Sequence, residues 1–277
     1  MDFFEALLLG IVQGLTEFLP ISSSGHLVLG KALLGIETPG IIFEVAVHLA
    51  TAGAVVLAYR QRIRSMLLAV PLVYKPRLWK KGSAKDESQA SMRENFLLGC
   101  YLVLGTIPVV VIGLLFKDSV ELSFGSPRFV CFMLILTGLI LLSSRLASKD
   151  SGRPLSWWRV LLIGLVQSAA LLPGISRSGA TITMALLLGL SPGRAAEFSF
   201  LLALPAILGA SVFEFASQFG SGLANLPVLW VFLAGVAVAF FSGFTAIFFV
   251  LKVLQKGRFD RFAWYCWAVG ISGLLLL

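Results

Sequence analysis

Four long stretches of this sequence contain no charged residue, and this feature constrains the fold more than any other. They cover residues 96–116, 129–144, 215–251 and 262–277. A helix needs roughly 20 consecutive apolar residues to cross the hydrocarbon core of a bilayer. Of the 277 residues, 58% are hydrophobic and only 13% are charged, whereas a soluble domain of this length needs a larger charged surface. The sequence therefore predicts an all-α integral membrane protein.

The chain also resembles itself at a constant offset. Residues 10–25 (GIVQGLTEFLPISSSG) align without a gap on residues 164–179 (GLVQSAALLPGISRSG), so that Gln13 is equivalent to Gln167. The polar Ser-x-Ser-Gly core recurs in both blocks, which chance does not readily produce in so apolar a chain. Self-similarity of this kind indicates an internal repeat. We therefore predict a single membrane domain, residues 1–277, built from a first repeat (1–150) and a second repeat (155–277).

Each repeat is predicted to begin with an interrupted pair of short helices. The breaks lie at Pro20 and at Pro173-Gly174, where polar residues gather. A re-entrant hairpin suits such a pair, because non-helical backbone is tolerated at membrane depth where it lines a protein cavity. The two hairpins are predicted over residues 2–19 with 23–36, and 156–172 with 177–190. The six full spans are predicted at 41–60, 94–116, 127–147, 195–216, 228–252 and 260–277.

The number of spans fixes the relation between the repeats. An odd number of crossings separates equivalent points, so the repeats have inverted topology, an arrangement that builds central sites in membrane proteins. The positive charges agree, since Lys and Arg concentrate in cytoplasmic segments. The basic segments 60–93, 145–159 and 252–261 fall on one side, and the loops 117–128 and 217–227 fall on the other. Both termini are therefore predicted outside, and the hairpins enter from opposite faces.

Polar side chains inside apolar segments are expensive in a bilayer and are functional by default. Arg177 offers a fixed cation and bidentate donors suited to phosphate. Helix N-termini rich in serine and glycine bind anions, and two of them facing each other suit a diphosphate. Ser23 with His26 nearby provides a nucleophile and a base, while Glu17 could hold a divalent cation or polarise His26. The remaining members of the two clusters are Gln13, Ser22, Ser24, Ser176, Ser178 and Thr181.

Structural roles compete with these functions. Serine and threonine in membrane helices often bond only the carbonyl four residues earlier or join neighbouring helices. Gln13 could join helices, Arg177 could pair with Glu17 as a structural ion pair, and His26 could be a packing residue. Three further polar residues suit a site or a structural pair equally, namely Glu44, His48 and Glu197. We interpret Glu214 as a solvated helix end.

Two motifs connect the chain to a known family. The residues from Gln13 to Glu17 match a (Glu/Gln)-x-x-x-Glu motif, and the run FLPISSSGH continues it to His26. The residues from Pro173 to Thr181 match a Pro-Gly-x-Ser-Arg-Ser-x-x-Thr motif. With these motifs, the sequence resembles the bacitracin-resistance family of undecaprenyl-diphosphate phosphatases over nearly its whole length.

This resemblance implies hydrolysis of undecaprenyl diphosphate to undecaprenyl phosphate and inorganic phosphate, which recycles the cell-wall lipid carrier and confers bacitracin resistance. It implies a multi-pass protein of the bacterial inner membrane, a divalent cation (Mg²⁺ or Ca²⁺), and a site that opens to the periplasmic face. The catalytic residues that it implies are Glu17 (also the metal ligand), Ser23, His26 and Arg177. The diphosphate-binding residues that it implies are Gln13, Ser22, Ser24, Ser176, Arg177, Ser178 and Thr181.

Several alternatives stay open. The motif position of Gln13 is Glu in some members of the family, and that of His48 is Gln in others, so the role of His48 is undetermined. Either Ser23 or a water activated by Glu17 and His26 could attack the phosphorus. A lipid-phosphate transporter or flippase could use the same inverted-repeat anion site. The expected partners are a long-chain prenyl diphosphate and the bilayer but no nucleic acid, and the sequence leaves a homodimer open.

Overall fold

The computed structural model of the chain describes residues 2–34, 41–70, 87–147, 152–218 and 228–277. Within these ranges the regular structure is helical and includes no strand. The helices are α1 (Phe3–Phe18), α2 (Ser23–Leu34), α3 (Ile41–Ala58), α4 (Arg60–Ala69), α5 (Glu87–Leu115), α6 (Lys117–Phe124), α7 (Pro127–Ser143), α8 (Trp157–Ala169), α9 (Arg177–Leu187), α10 (Pro192–Gln218), α11 (Leu229–Gln255) and α12 (Phe262–Leu276).

The helices have the length and polarity of membrane spans. Among the described residues four are long and apolar enough to cross a bilayer: Ala90–Leu115, Pro127–Leu146, Pro192–Glu214 and Leu229–Gln255. Helices α3 and α4 pass the same test together across a bend of 78°. The prediction of an all-α integral membrane protein is confirmed. Helix α12, with 15 residues, is shorter than a usual span, so the count of six full spans stays a prediction.

Both predicted helix breaks are present. The first interruption separates the end of α1 at Phe18 from the start of α2 at Ser23, and the second separates Ala169 from Arg177. The end of the predicted helix 23–36 and parts of the loops 60–93 and 217–227 lie outside the described residues.

Two segments predicted as loops form helices, namely α4 and α6. The charges of α4, which include Arg60, Arg62 and Arg64, disfavour a bilayer crossing. They do not disfavour a helix, because Arg, Met and Leu have high helix propensity. That these segments lie outside the hydrocarbon core stays a prediction from their charge, which did not distinguish a loop from a short helix.

Each broken pair of helices packs against a long helix from the other half of the sequence. Helix α1 packs on α11, and α8 packs on α5. A Cβ atom on Gly10 would lie 2.4 Å from the carbonyl oxygen of Gly235, and one on Gly164 would lie 2.4 Å from that of Gly105. Glycine allows backbones to approach this closely in membrane helices. Because Gly10 and Gly164 are equivalent positions in the aligned blocks, the same kind of contact supports the first helix of both broken pairs.

A network of ion pairs connects α4 with the N-terminal parts of α5 and α10. Arg62 pairs with Glu197 at 2.8 Å and with Glu94 at 3.6 Å, and it donates to the side chain of Asn95. Arg194 also pairs with Glu94, at 3.3 Å. Glu197 is thus a structural partner, one of the two roles that the sequence left open for it.

Candidate active site

The two helix breaks lie directly against each other. A Cβ atom on Gly25 would lie 3.1 Å from the Cα of Gly174, and one on Gly179 would lie 3.1 Å from the Cβ of Pro20. Gly25 is equivalent to Gly179 in the repeat, and Pro20 is equivalent to Gly174. Larger residues at the two glycines would push the breaks apart, so the small residues of the motifs bring the polar clusters together.

The same serine begins the second helix of each pair. The hydroxyl oxygen of Ser22 accepts from the backbone N–H of Gly25 at 3.2 Å, and that of Ser176 accepts from Gly179 at 3.1 Å. A serine in this position satisfies one of the free N–H groups of the first helical turn. Ser22 has a φ of +68°, a left-handed conformation that costs a non-glycine residue about 1–3 kcal/mol and is common at functional sites.

Helix α7 holds the second break in place. The hydroxyl of Thr137 donates to the carbonyl oxygen of Gly174 at 2.8 Å and accepts from the backbone N–H of Ser176 at 3.1 Å. Gly174 has a φ of +98°, and a Cβ there would lie 2.5 Å from the carbonyl oxygen of Val130. Only glycine fits this position, since both its conformation and its packing exclude a side chain.

Glu17 is the centre of the polar cluster. Its Oε2 atom accepts from Gln13 Nε2 at 2.9 Å and from Ser23 Oγ at 3.0 Å, and it lies 3.9 Å from His48 Nε2. Its Oε1 atom accepts from Arg177 at 2.5 Å. The side chains of Glu17 and Arg177 are only 8% and 17% exposed. The structure thus brings together residues from both repeats, including the ion pair that the sequence left open.

His26 lies apart from this centre. Its Nδ1 atom is 2.8 Å from the carbonyl oxygen of Ser22, and its Nε2 atom is 2.9 Å from the hydroxyl of Tyr265. The two rings stack, with centroids 5.6 Å apart and planes 12° apart. The helical turn from Ser22 to His26 directs the imidazole towards α12. Both ring nitrogens therefore contact groups other than Ser23, whose hydroxyl donates to Glu17.

A cavity of about 290 Å³ opens at the junction of the breaks. One part of its wall is apolar and includes Val109, Phe124 and Ile207. The polar residues that the sequence predicted and that line it are Glu17, Ser22, Ser23, Ser24, Ser176 and Arg177. An apolar wall beside a cationic and hydroxyl-rich centre suits an amphiphile with an anionic headgroup.

Three predicted binding residues support the site from behind. The Thr181 hydroxyl donates to the carbonyl oxygen of Arg177 at 2.8 Å and lies 2.6 Å from the hydroxyl of Ser199. Ser178 donates to the carbonyl oxygen of Leu19 at 3.2 Å, and Gln13 contacts Glu17. Within the described chain, none of these three is among the residues that line the cavity. Their contacts fix the positions of the residues that do line it.

The cavity also contains polar residues that the sequence did not assign to it. They are Thr16, His48, Gln167, Ser211 and Glu214. Glu214, interpreted from sequence as a solvated end, is exposed and also lines the cavity. His48 was a secondary candidate, and its approach to Glu17 favours a site role for it. Gln167 had a usable sequence signal, since it aligns with Gln13.

A divalent cation was expected at Glu17. Among the described residues there is no group of three or more His, Cys, Asp and Glu side chains that could enclose a metal ion. Mg²⁺, however, is usually bound through one or two carboxylates together with substrate phosphates and water. A single carboxylate beside His48 and hydroxyl groups fits a cation that takes further ligands from a bound diphosphate.

Comparison with known proteins gives one consistent result. The profile of the family described as "Bacitracin resistance protein BacA" matches residues 6–272. A protein of Salinibacter ruber named "Undecaprenyl-diphosphatase" is 41% identical over 284 residues, which cover 100% of both chains. Proteins with the same name from Korarchaeum cryptofilum (40% identical, 100% of both chains) and Desulforapulum autotrophicum (38%, covering 99% of this chain and 98% of the other) are also similar. The chain therefore belongs to the BacA family of bacitracin resistance proteins.

Proposed function

We propose that this protein hydrolyses undecaprenyl diphosphate to undecaprenyl phosphate and inorganic phosphate in the bacterial cytoplasmic membrane. Its relatives have the name of this activity. The observation that carries the proposal is the cluster of Glu17, Ser23 and Arg177 in a cavity with an apolar wall. This activity returns the lipid carrier to cell-wall synthesis, which accounts for bacitracin resistance.

Arg177 and the first turns of α2 and α9 hold the diphosphate. Arg177 contacts Glu17 through one guanidinium nitrogen, Nη2, and the guanidinium group has further N–H donors that can contact phosphate oxygens. The N-termini of both helices present backbone N–H groups to an anion. Catalysis of phosphoryl transfer depends mainly on positioning and charge stabilisation, and the two breaks supply both.

Ser23 is the proposed nucleophile. Its hydroxyl already donates to Glu17, so the carboxylate can take the proton as Oγ attacks the terminal phosphorus. A P–Oγ bond forms, the bridging P–O bond breaks, and undecaprenyl phosphate leaves. Water then attacks the phosphorus of the phosphoserine and the P–Oγ bond breaks. Inorganic phosphate leaves with the water oxygen, and Glu17 returns its proton to Oγ, which restores the hydroxyl. The sequence predicted His26 as the base. We assign it instead to orienting the carbonyl group of Ser22 and the hydroxyl of Tyr265, which its ring nitrogens contact. Direct attack by water on the diphosphate is the alternative that a Ser23 variant tests.

Glu17 and His48 would hold the divalent cation together with the diphosphate. The chemistry that the cation supplies is neutralisation of charge on the phosphate oxygens. Ser22, Ser24 and Ser176 also line the cavity, and their hydroxyls are further donors for those oxygens.

The proposed topology is an inverted repeat with the cavity open to the periplasm. The cavity residues on α5 and α10, such as Val109 and Glu214, lie near the C-terminal ends of these helices, and the Arg62 network lies near their N-terminal ends. Basic segments are cytoplasmic, so the opposite location supports an outward opening. Two contacts near the termini, Phe3 with Trp230 and Arg128 with the carbonyl of Leu277, support placing both termini outside.

A lipid-phosphate carrier with the same inverted repeats is the second candidate. Broken helices and an anion site near the midplane are typical of transporters. A carrier needs the cation of Arg177, but it has no use for a hydroxyl that donates to a buried carboxylate. The Ser23–Glu17 hydrogen bond therefore favours the hydrolase.

The test is product analysis with purified protein in detergent. We expect undecaprenyl phosphate and inorganic phosphate in equal amounts from wild-type protein, and a loss of at least about 100-fold in Glu17→Gln. Glu121→Gln is the matched control, because Glu121 is 66% exposed and forms an ion pair with Lys117, away from the cavity. Folded wild-type protein that binds the lipid without releasing phosphate would instead indicate the carrier.

A further inference from the structure

Gln167 has a buried amide for which the described part of the chain offers no hydrogen-bond partner. It lies on α8, is 2% exposed, and neither Nε2 nor Oε1 makes a hydrogen bond with the described residues. It lines the same cavity as Ser23 and Arg177. Buried polar side chains are paired in the large majority of cases, so an unpaired one calls for a specific explanation.

Comparison of the two repeats shows why this amide has no partner on its own helix. In the first repeat, Gln13 donates to Glu17, four residues later on the same helix face. The equivalent pair in the second repeat is Gln167 and Leu171. The side chain of Leu171 has no hydrogen-bond acceptor, and this residue also lines the cavity. The second repeat thus has the glutamine but no carboxylate at the position four residues later.

The location of this unpaired group distinguishes it from others. Tyr59, Ser156 and Thr183 also have buried oxygens without hydrogen-bond partners among the described residues, but they are not among the residues that line the cavity. An amide presents two N–H donors and a carbonyl acceptor without adding charge. Arg177 already supplies the positive charge in this cavity, so a neutral donor on α8 complements it.

We propose that Gln167 binds the substrate headgroup, with its amide N–H donating to a phosphate oxygen of the diphosphate. This inference rests on the proposed function, because it uses the same cavity. We thereby assign α8 a direct role in binding, whereas the sequence motifs place binding on α1, at the two breaks and at the start of α9. The amide carbonyl remains able to accept a hydrogen bond from water.

The test is binding of methylenediphosphonate, a diphosphate analogue that cannot be hydrolysed, to the purified full-length protein by calorimetry. Gln167→Leu keeps an apolar side chain of similar length and removes the donor. We expect about 10- to 100-fold weaker binding, since a hydrogen bond to a charged group is lost. Without the analogue, Gln167→Leu should have an unfolding temperature equal to or above that of the wild-type protein, because it buries no unpaired amide.

Ser168→Ala and Thr183→Val are the matched controls. Ser168 is buried on the same helix and donates to the carbonyl oxygen of Gly164, and Thr183 is a buried unpaired group that does not line the cavity. Both should bind the analogue with wild-type affinity. Should Gln167→Leu not fold, Gln167→Glu, which places a carboxylate against the phosphate, is expected to weaken binding further.

The results separate this inference from the proposed function. Wild-type affinity in either folded Gln167 variant, or no binding by the wild-type protein, overturns the inference. Binding that depends on Gln167 in a protein that never releases phosphate supports the inference and overturns the hydrolase.

Discussion

Replacing Arg177 with methionine would leave the Glu17 carboxylate without its cationic partner inside the protein. The two side chains are 17% and 8% exposed, so solvent cannot compensate fully. Removing one partner of a buried pair typically costs about 3–5 kcal/mol, because the remaining charge is stranded. Glu17 keeps hydrogen bonds from Gln13 and Ser23, which places the expected loss at the lower end, about 3 kcal/mol. That loss corresponds to a fall in unfolding temperature on the order of 10 °C.

The double variant Glu17→Gln/Arg177→Met separates charge from packing. It removes both charges, so we expect it to recover about 2 kcal/mol relative to Arg177→Met, a coupling typical of residues in contact. Phosphate release should be absent in Arg177→Met and in the double variant, since both lack the cation that binds the anion.

Thermal unfolding in detergent, followed by fluorescence of the 6 tryptophans, measures the stability of each variant. Phosphate release measured on the same samples gives the activity. The loss of unfolding free energy in the double variant is compared with the sum of the losses in Glu17→Gln and Arg177→Met. If the two are equal, the charges are not coupled, and the assignment of this pair as the centre of the site is wrong.

Three further predictions test other parts of the account. Ser23→Ala should lower turnover by at least about 1,000-fold while keeping lipid binding, and near-normal turnover would assign the attack to water. EDTA should abolish phosphate release, and Mg²⁺ or Ca²⁺ should restore it; release that is insensitive to EDTA would remove the cation from the mechanism. Gly10→Ala should destabilise the protein by about 1–3 kcal/mol through contact with Gly235, whereas Gly99→Ala, with nothing within 4 Å of its Cβ, should stabilise it by about 0.5–1 kcal/mol; equal unfolding temperatures would contradict the glycine contact.

The parts of the fold that follow local rules could be predicted from sequence. Proline at position 20, the Pro173-Gly174 pair and the capping serines each act within a few residues, and the structure places both breaks there. The aligned repeat blocks also predicted that residues of the two halves meet, as Glu17 and Arg177 do.

Contacts between residues that are far apart in the sequence could not be predicted. His26 contacts Tyr265, which lies far along the chain, and no sequence pattern indicated this contact. The prediction of His26 as the base for Ser23 depended only on the short distance between the two residues in sequence. Glu214 lines the cavity because α10 continues as one helix through Pro205 to that depth. The unpaired state of Gln167 depends on the absence of an acceptor, which only the packed structure reveals.

Whether hydrolysis takes place at the junction of the two breaks is tested by phosphate release from undecaprenyl diphosphate, measured for purified wild-type protein, Arg177→Ala and Arg194→Ala. Arg194 is 49% exposed and lies in the Glu94 network, so its loss should leave turnover near the wild-type value. We expect release by wild type and Arg194→Ala, with release by Arg177→Ala reduced at least about 1,000-fold. Equal release by all three proteins would show that hydrolysis does not take place at the junction of the two breaks.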